Sequence, residues 1–283
     1  MTVWTDGYVE ANNIRIHYYR TGGNKPQIVL NHGAMDDGLC WTRVAKELEQ
    51  DYDVIMFDSR GHGLSDSGQG DYRPETRAND TAEAIQKLGL DKPAIGGHSM
   101  GAEASLYVAA LYPDLPSALF MEDPPVPMPD QPMFGGEMGE NGEKVIKMMA
   151  RMMTISKIMP QFIGKMLAKK MMPGYPDVEI IPWLNSKKRT RKDFMNVMAS
   201  AGDSIVQSPS PFDMLKDVQV PTLLIRGDRE MGAIISDAAA TEMEKTLPGL
   251  QVAHLRGASH NIRRDKFDDY IRTLRAFLAE IDN

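Results

Sequence analysis

The feature that most restricts the fold of this 283-residue chain is the alternation of short apolar runs with segments of helical periodicity. Continuous apolar runs are typical of strands buried on both faces of a sheet, and such alternation is typical of parallel strands linked by helices. The strand candidates are 9–11, 14–19, 27–30, 54–57, 94–96, 118–121, 222–226 and 251–255, and the helix candidates are 41–48, 76–88, 102–111, 237–246 and 265–281. We therefore predict an α/β protein with a mostly parallel twisted sheet and helices on both faces.

Residues 126–215 interrupt this alternation and predict a helical cap inserted between two strands. The stretch contains fourteen of the 21 methionines and is rich in proline at both ends. We predict a core domain formed by residues 1–125 and 216–283, with the Met-rich cap at 126–215. Broad apolar helix faces usually pack against one another, but unbranched thioethers also suit an adaptable ligand pocket. The candidate substrate-binding residues of the cap are Met149, Met153 and Met166.

The charge distribution restricts the class of partner. The net charge of -7 and the pI near 5.4 argue against a nucleic-acid binder, which needs a basic surface. Between Glu140 and Asp193 the balance reverses, with twelve Lys and Arg against five Asp and Glu. We read this excess as the solvated faces of amphipathic helices. The alternative is attraction of an anionic substrate or a loose contact with a membrane surface.

The N-terminal residues and the single cysteine predict a soluble, cytoplasmic protein. Cys40 alone cannot form an internal disulfide, which suits a reducing compartment. The first residues lack a basic segment followed by an apolar one, and no run approaches 18 apolar residues. We expect no stable membrane insertion and a small-molecule substrate. The sequence does not indicate an oligomeric state.

Residues 97–101 read Gly-His-Ser-Met-Gly and lie between a strand candidate and a helix candidate. This setting is typical of a nucleophile elbow, a sharp strand-to-helix turn that exposes a serine in a strained conformation. A serine hydroxyl needs a base to become a nucleophile. Among six histidines, His260 follows the last strand directly, whereas the others lie in strands or in glycine loops beside the elbow. We therefore predict Ser99 as nucleophile and His260 as base.

An oxyanion hole needs two backbone N–H groups, one from the residue after the nucleophile and one from the loop after an earlier strand. Met100 follows the serine, and Ala34 lies in the loop after the strand candidate 27–30. These two amides are the predicted donors. A second glycine-rich turn, Asp58 to Ser65, is expected to brace this loop and the elbow.

Two strands end in carboxylates that could orient the histidine. Glu230 follows the strand candidate 222–226, and Asp123 follows the strand candidate 118–121. We predict Glu230 as the acid, with Asp123 as the alternative. Asp228 and Glu122 also remain open, and the carboxylates that are not used are expected to cap loops or form ion pairs.

In chain order these segments resemble the α/β-hydrolase superfamily over essentially the whole chain. The matching segments are His32-Gly33 with Trp41 downstream, 58–65, 97–101, 227–230 and 257–260. The resemblance implies the same roles for Ser99, His260, Ala34 and Met100, and places the usual acid position on Glu230, where Asp is commoner. Some members take the acid from the earlier strand. Haloalkane dehalogenases and epoxide hydrolases resemble this layout but have Asp at the position of Ser99.

The predicted function is a serine hydrolase that cleaves carboxylic esters or lactones through an acyl-enzyme, without a metal or an organic cofactor. Perhydrolysis or carbon-carbon bond hydrolysis would use the same residues, and the sequence does not choose among them. The alternative from another class is a hydrolase-like receptor or sensor with slow or single turnover. Multiple turnover of short-chain p-nitrophenyl esters separates the two.

Overall fold

An eight-stranded sheet forms the centre of the protein in a computed structural model that describes residues 4–126, 128, 155–200 and 208–281. The strand order is β1-β2-β4-β3-β5-β6-β7-β8. Strands β1 and β2 pair antiparallel, β2 pairs antiparallel with β4, and all other neighbours are parallel. This confirms the predicted fold class. The strands are β1 Thr5–Ala11, β2 Ile14–Arg20, β3 Gln27–Asn31, β4 Asp53–Phe57, β5 Ala94–His98, β6 Ala118–Glu122, β7 Thr222–Arg226 and β8 Gln251–His254.

Strand β1 begins four residues earlier than its apolar pattern predicted, because Thr5 to Gly7 form ladder pairs with β2 without being buried. The hairpin between the two strands turns at Asn12 and Asn13, whose φ angles are 49° and 62°. Asparagine tolerates this left-handed conformation better than most residues, and two such residues suit a tight hairpin.

Helices cover both faces of the sheet. Within the described part of the chain they are α1 Thr42–Leu48, α2 Pro74–Lys87, α3 Met100–Leu111, α4 Gln161–Met171, α5 Asp177–Arg189, α6 Lys192–Ser200, α7 Pro211–Leu215, α8 Asp237–Thr246, α9 Ile262–Asp265 and α10 Phe267–Ile281. Side chains alternate along a strand, so each strand supplies both layers. Val29 packs with the cluster under α2, α3 and α8, whereas Ile28 and Leu30 pack with the cluster under α1 and α10.

The insertion between β6 and β7 contains α4, α5 and α6. Of the chain's predicted Met-rich cap, Met149 and Met153 lie outside the described residues. The short helix α7 packs on α3, and its Met214 and Leu215 are buried in the core cluster. Because α7 packs on the core, the insertion rejoins the core at its end, near residue 215. The division of the chain into two domains stays a prediction. Over the described residues, no helix combines the length and the apolarity needed to cross a bilayer.

The C-terminal end of α5 is attached to the core by charged side chains. Arg189 lies 3.4 Å from Asp37, whose side chain is fully buried in the loop before α1. Burial raises the pKa of Asp37 to about 7; the neighbouring carboxylate of Asp58 also raises it, and Arg189 opposes the shift. The carboxyl group therefore takes up a proton in the folded protein at a pH where the unfolded chain is ionised.

Asp37→Asn should remove part of the pH dependence of stability. Because the folded pKa lies above the usual 3.8, the folded state binds more protons than the unfolded state between about pH 4 and 7. The contribution of Asp37 therefore falls as pH rises through this window, by at most about 1.4 kcal/mol per pH unit. Urea unfolding of the parent and of Asp37→Asn at pH 4.5 to 8 should give a smaller decline in the variant.

The matched control is Asp51→Asn, which changes an exposed carboxylate paired with Arg275. Its unfolding free energy should follow the pH profile of the parent. An Asp37→Asn profile parallel to that of Asp51→Asn would contradict the raised pKa.

Candidate active site

Ser99 lies at the sharp turn between β5 and α3. Its φ of 52° and ψ of -120° place it in a strained conformation, and it is the N-cap residue of α3. Its amide donates a 2.9 Å hydrogen bond to the carbonyl of Glu122, the last residue of β6. The backbone strain is therefore held by the adjacent parallel strand, as a nucleophile elbow requires.

The two glycines of the box are required by close backbone packing. A Cβ at Gly101 would lie 2.2 Å from the carbonyl oxygen of Asn31, and one at Gly97 would lie 2.6 Å from the same atom. Both distances are shorter than any real Cβ contact, so the elbow reaches the end of β3 only with glycine on both sides of the serine.

His260 lies in the loop after β8, and its ring is oriented by Asp123. The Nδ1 atom is 2.7 Å from Asp123 Oδ2, and the Asp123 side chain is fully buried. Because a carboxylate accepts, Nδ1 carries the proton in this assignment, which leaves Nε2 as the basic nitrogen. The His260 ring also lies 4.6 Å from the ring of His98, the residue before Ser99.

The carboxylate that accepts this hydrogen bond is that of Asp123, which we predicted as the alternative acid, and not that of Glu230. Glu230 lies in a short 3-10 turn after β7 with its side chain exposed. The loop that contains it instead supplies backbone donors: the amides of Ile234 and Ile235 donate to Asp123 Oδ2 and Oδ1 at 2.8 and 3.0 Å. The loop after β7 therefore holds the carboxylate in place without contributing it.

The other two carboxylates cap loops and form ion pairs. Asp228 accepts from the amide of Gly257 at 2.6 Å and lies 2.7 Å from His254 Nε2. Glu122 is fully buried and accepts from the backbone and the guanidinium of Arg263, at 2.9 and 3.0 Å. Glu122 thereby fixes the segment that follows His260.

The two predicted oxyanion donors lie on segments that share one apolar cluster. Met100 is the first residue of α3, where helix amides lack intrahelical partners. Ala34 lies in the turn after β3, and both residues pack in a cluster with Tyr72 and Phe194. The next residue, Met35, has a φ of 64°, so the chain turns back directly after Ala34.

Two buried histidines fix this turn. His62 Nε2 accepts from the amide of Met35 at 3.2 Å, and His32 Nε2 accepts from the amide of Ser59 at 3.0 Å. Burial lowers the pKa of both rings, of His62 well below its usual range, which keeps them neutral and able to accept. The asparagine-histidine-glycine turn is thus tied to the glycine-rich turn 58–65.

Asp58 is the centre of the glycine-rich turn. Its carboxylate accepts from the amides of Gly38 and Leu64, at 2.7 and 2.9 Å, and lies 2.9 Å from His17 Nδ1. These bonds connect the turn to the loop before α1 and to β2. Together with the bonds of His32 and His62, these contacts tie the turn to the segment after β3, whereas bracing of the elbow by this turn stays a prediction.

His98 connects the elbow to the histidine loop. Its Nε2 lies 2.9 Å from the carbonyl oxygen of His260 and acts as the donor, because a carbonyl can only accept. Burial lowers the pKa of His98 well below its usual range, and Arg263 adds to the shift, so the ring stays neutral. A Cβ at Gly33 would lie 2.5 Å from His98 Nδ1, which explains this glycine as well.

An apolar wall of α6 faces the oxyanion segments. Phe194 is buried against Tyr72 and Met100, and Met195, Val197 and Met198 pack on the same cluster. Sequence reasoning missed these residues, although Met195 and Met198 have the spacing of one helix face. Met166, which we predicted to bind substrate, is instead 64% exposed on α4.

Comparison with known proteins finds chains of similar sequence and fold. A family model of the alpha/beta hydrolase fold matches residues 26–151. The chain is 27% identical over 281 residues to N-formylmaleamate deformylase of Pseudomonas putida, covering 96% of each protein. It is 25% identical over 247 residues to 2-(acetamidomethylene)succinate hydrolase of Mesorhizobium japonicum, covering 86% of this chain and 84% of the relative. Its fold is similar to that of an enol-lactonase from Burkholderia xenovorans, with a TM-score of 0.72, 20% identity, and coverage of 96% of this chain and 100% of the other.

The chain has the α/β-hydrolase fold. The sheet order, the elbow and the position of the histidine loop all fit that assignment. The named relatives are hydrolases, which supports hydrolase activity for this chain.

Replacing each of the two candidate acids, Asp123 and Glu230, by its amide should show which of them assists His260. Asp123→Asn keeps the shape of the side chain but lets the amide nitrogen face His260, which favours the wrong ring tautomer. We expect hydrolysis by this α/β-hydrolase to fall by about 10^2 to 10^4 in kcat. Glu230→Gln changes an exposed side chain and should leave kcat within about twofold. A larger loss in Glu230→Gln than in Asp123→Asn, measured with matched melting curves, would restore the original choice.

Proposed function

We propose that this α/β-hydrolase cleaves carboxylic esters or lactones through a covalent acyl-enzyme on Ser99. The observation that carries the proposal is the 2.7 Å contact between His260 Nδ1 and a fully buried Asp123, beside a serine in a strained elbow. A histidine with this orientation has the basic nitrogen available for a serine proton. His98 supports it by joining the elbow to the carbonyl of His260.

In the first half of the proposed reaction, Ser99 Oγ attacks the acyl carbon and its proton passes to His260 Nε2. The carbonyl oxygen becomes an oxyanion, for which the amides of Ala34 and Met100 are the proposed donors. The bond to the leaving oxygen then breaks, and that oxygen takes the proton from His260. An alcohol leaves, or the ring opens in a lactone, and the acyl group stays on Ser99.

In the second half, water attacks the acyl carbon and gives a proton to His260. The bond to Ser99 Oγ breaks, and Ser99 takes the proton back. The product is a carboxylic acid, and the enzyme returns to its starting state. Asp123, whose two carboxylate oxygens accept from backbone amides, stabilises the imidazolium that forms on His260.

A second candidate function is hydrolysis of an amide. The relative that aligns over 96% of both chains is named a deformylase, and the relative that covers 86% of this chain is named for an acetamido compound. The same residues serve for amides, provided that His260 protonates the leaving nitrogen. A panel that contains esters, lactones, and formamides or acetamides with a free carboxylate distinguishes the two candidates.

Ser99→Ala should abolish turnover on whichever substrate of this panel the parent cleaves. Removal of the nucleophile costs about 10^4 to 10^6 in kcat, while the elbow and fold should persist. The measurement is initial rates with purified protein, accompanied by melting curves of both proteins. Activity within tenfold of the parent would reject Ser99 as the nucleophile. A single-turnover burst with a persistent adduct in the parent would favour the ligand-sensor alternative.

The apolar wall of α6 should set the preferred acyl chain. Met198 packs on the cluster that contains Met100, so Met198→Ala enlarges the space beside the proposed oxyanion donors. We expect kcat/KM to shift toward longer p-nitrophenyl esters, by about 10-fold relative to the acetate. Met166→Ala, on the exposed surface of α4, should leave the chain-length profile unchanged.

The reverse result, a shifted profile only in Met166→Ala, would support the original cap prediction. A lowered melting temperature in Met198→Ala with an unchanged profile would assign α6 a packing role alone.

A further inference from the structure

We propose that Lys187, in the cap helix α5, is a positioning residue for the turn that carries the Ala34 oxyanion donor. This inference rests on the proposed function, because it concerns the geometry of the proposed oxyanion hole. It assigns to the cap a direct effect on the chemical step rather than on substrate choice alone.

The Lys187 ammonium group contacts the turn at two points. Its Nζ atom donates to the carbonyl oxygen of Met35 at 3.0 Å and to Asp36 Oδ1 at 2.9 Å. These two residues directly follow Ala34. The side chain of Lys187 is 12% exposed, so the contact is shielded from water.

With Lys187 in place, the turn is fixed along its length. The amide of Met35 donates to His62 Nε2, and the amide of Asp36 donates to the carbonyl of Gly33 at 3.1 Å. Within the part of the chain that the structure describes, Lys187 is the one cationic side chain that binds the carbonyl of Met35. Because Met35 has a left-handed φ, release of its carbonyl would allow the turn to relax and the Ala34 amide to change direction.

Asp36 extends this contact to the histidine loop. Its Oδ2 atom accepts from Arg264 at 2.8 Å and from Arg263 at 3.3 Å. Arg263 also binds Glu122, the residue before Asp123. The oxyanion turn, the loop after His260 and the end of β6 therefore share one buried charge cluster, and Lys187 adds the cap to it.

The ion pairs of this cluster join three cations to three acidic side chains, and Lys187 is one of the cations. Its cations are Lys187, Arg263 and Arg264, and its acidic side chains are Asp36, Glu122 and Glu179. Burial alone would raise the pKa of Asp36, but Arg264, Lys187 and Arg263 hold it well below its usual range. A buried carboxylate keeps its position when its cations surround it, and removal of one of them weakens that hold.

Docking of α5 does not depend on Lys187 alone. Glu179, near the start of the helix, lies 3.3 Å from Arg264, and Arg189, at its end, lies 3.4 Å from Asp37. Lys188 offers a matched control, because its ammonium donates at 3.2 Å to the carbonyl of Met159, which lies within the insertion. The two lysines are adjacent, equally charged and bound to different parts of the molecule.

The test compares Lys187→Met with Lys188→Met on p-nitrophenyl acetate. We expect Lys187→Met to lower kcat by about 10- to 100-fold with KM within about threefold, since loss of an oxyanion donor costs about 10^2 to 10^3. Affinity for an alkyl trifluoromethyl ketone, whose adduct with Ser99 contains the oxyanion, should fall in parallel with kcat. Lys188→Met should match the parent in all three measurements.

A second readout does not depend on activity. Amide hydrogen exchange of peptides that cover residues 33–38 should be faster in Lys187→Met and unchanged in Lys188→Met. If the parent turns over none of the esters, lactones or amides, the proposed function fails, and exchange alone then decides whether Lys187 holds the turn. Unchanged exchange in Lys187→Met, a loss confined to KM, or equal losses in both variants would overturn the positioning role.

Discussion

The arrangement of the candidate site depends on one constraint, the in-register parallel pairing of β5 with β6. His98 at the end of β5 lies opposite Glu122 at the end of β6, so the following residues, Ser99 and Asp123, leave the sheet side by side. The hydrogen bond from the Ser99 amide to the Glu122 carbonyl continues this pairing by one residue. Parallel strands present their carboxyl ends at one edge, where loops from distant parts of the sequence meet.

Both residues that leave this edge have unusual backbones. Ser99 has a φ of 52° and Asp123 a φ of 44°, so each chain turns sharply just after its strand. Non-glycine residues adopt such values at a cost, which the surrounding contacts must offset. At Asp123 those contacts are the two amides of Ile234 and Ile235 together with His260. The same bonds that orient the carboxylate therefore also stabilise its backbone.

The sequence was sufficient for the fold class and for the loops that meet at the site. Periodicity located the strands, and the glycines at 33, 97 and 101 marked places where neighbouring atoms leave no room for a Cβ. It was not sufficient for the choice between Asp123 and Glu230, because β6 and β7 are both followed by acidic residues. That choice depends on which loop turns its amides toward the other, and such a long-range relation leaves no local pattern.

In the insertion, too, the sequence pattern does not show which side chains meet. Methionine content predicted apolar helix faces, but the direction of each face depends on how the helices dock. Met166 therefore turned out exposed, while Met198 packs on the cluster that contains Met100. Lys187 and Asp36 are 151 residues apart, and neither has a distinctive neighbour in the sequence.

A cap that is attached through buried charges differs physically from one that is attached through apolar contacts. Apolar contacts have no required direction, whereas a buried ammonium must keep its partners within hydrogen-bond distance. A rigid attachment of α5 suits a site whose donors must stay within a fraction of an ångström of the developing oxyanion. Under the proposed function, adaptation to different acyl groups would fall to the methionines of α6, which can change rotamer while α5 holds the turn after β3 in place.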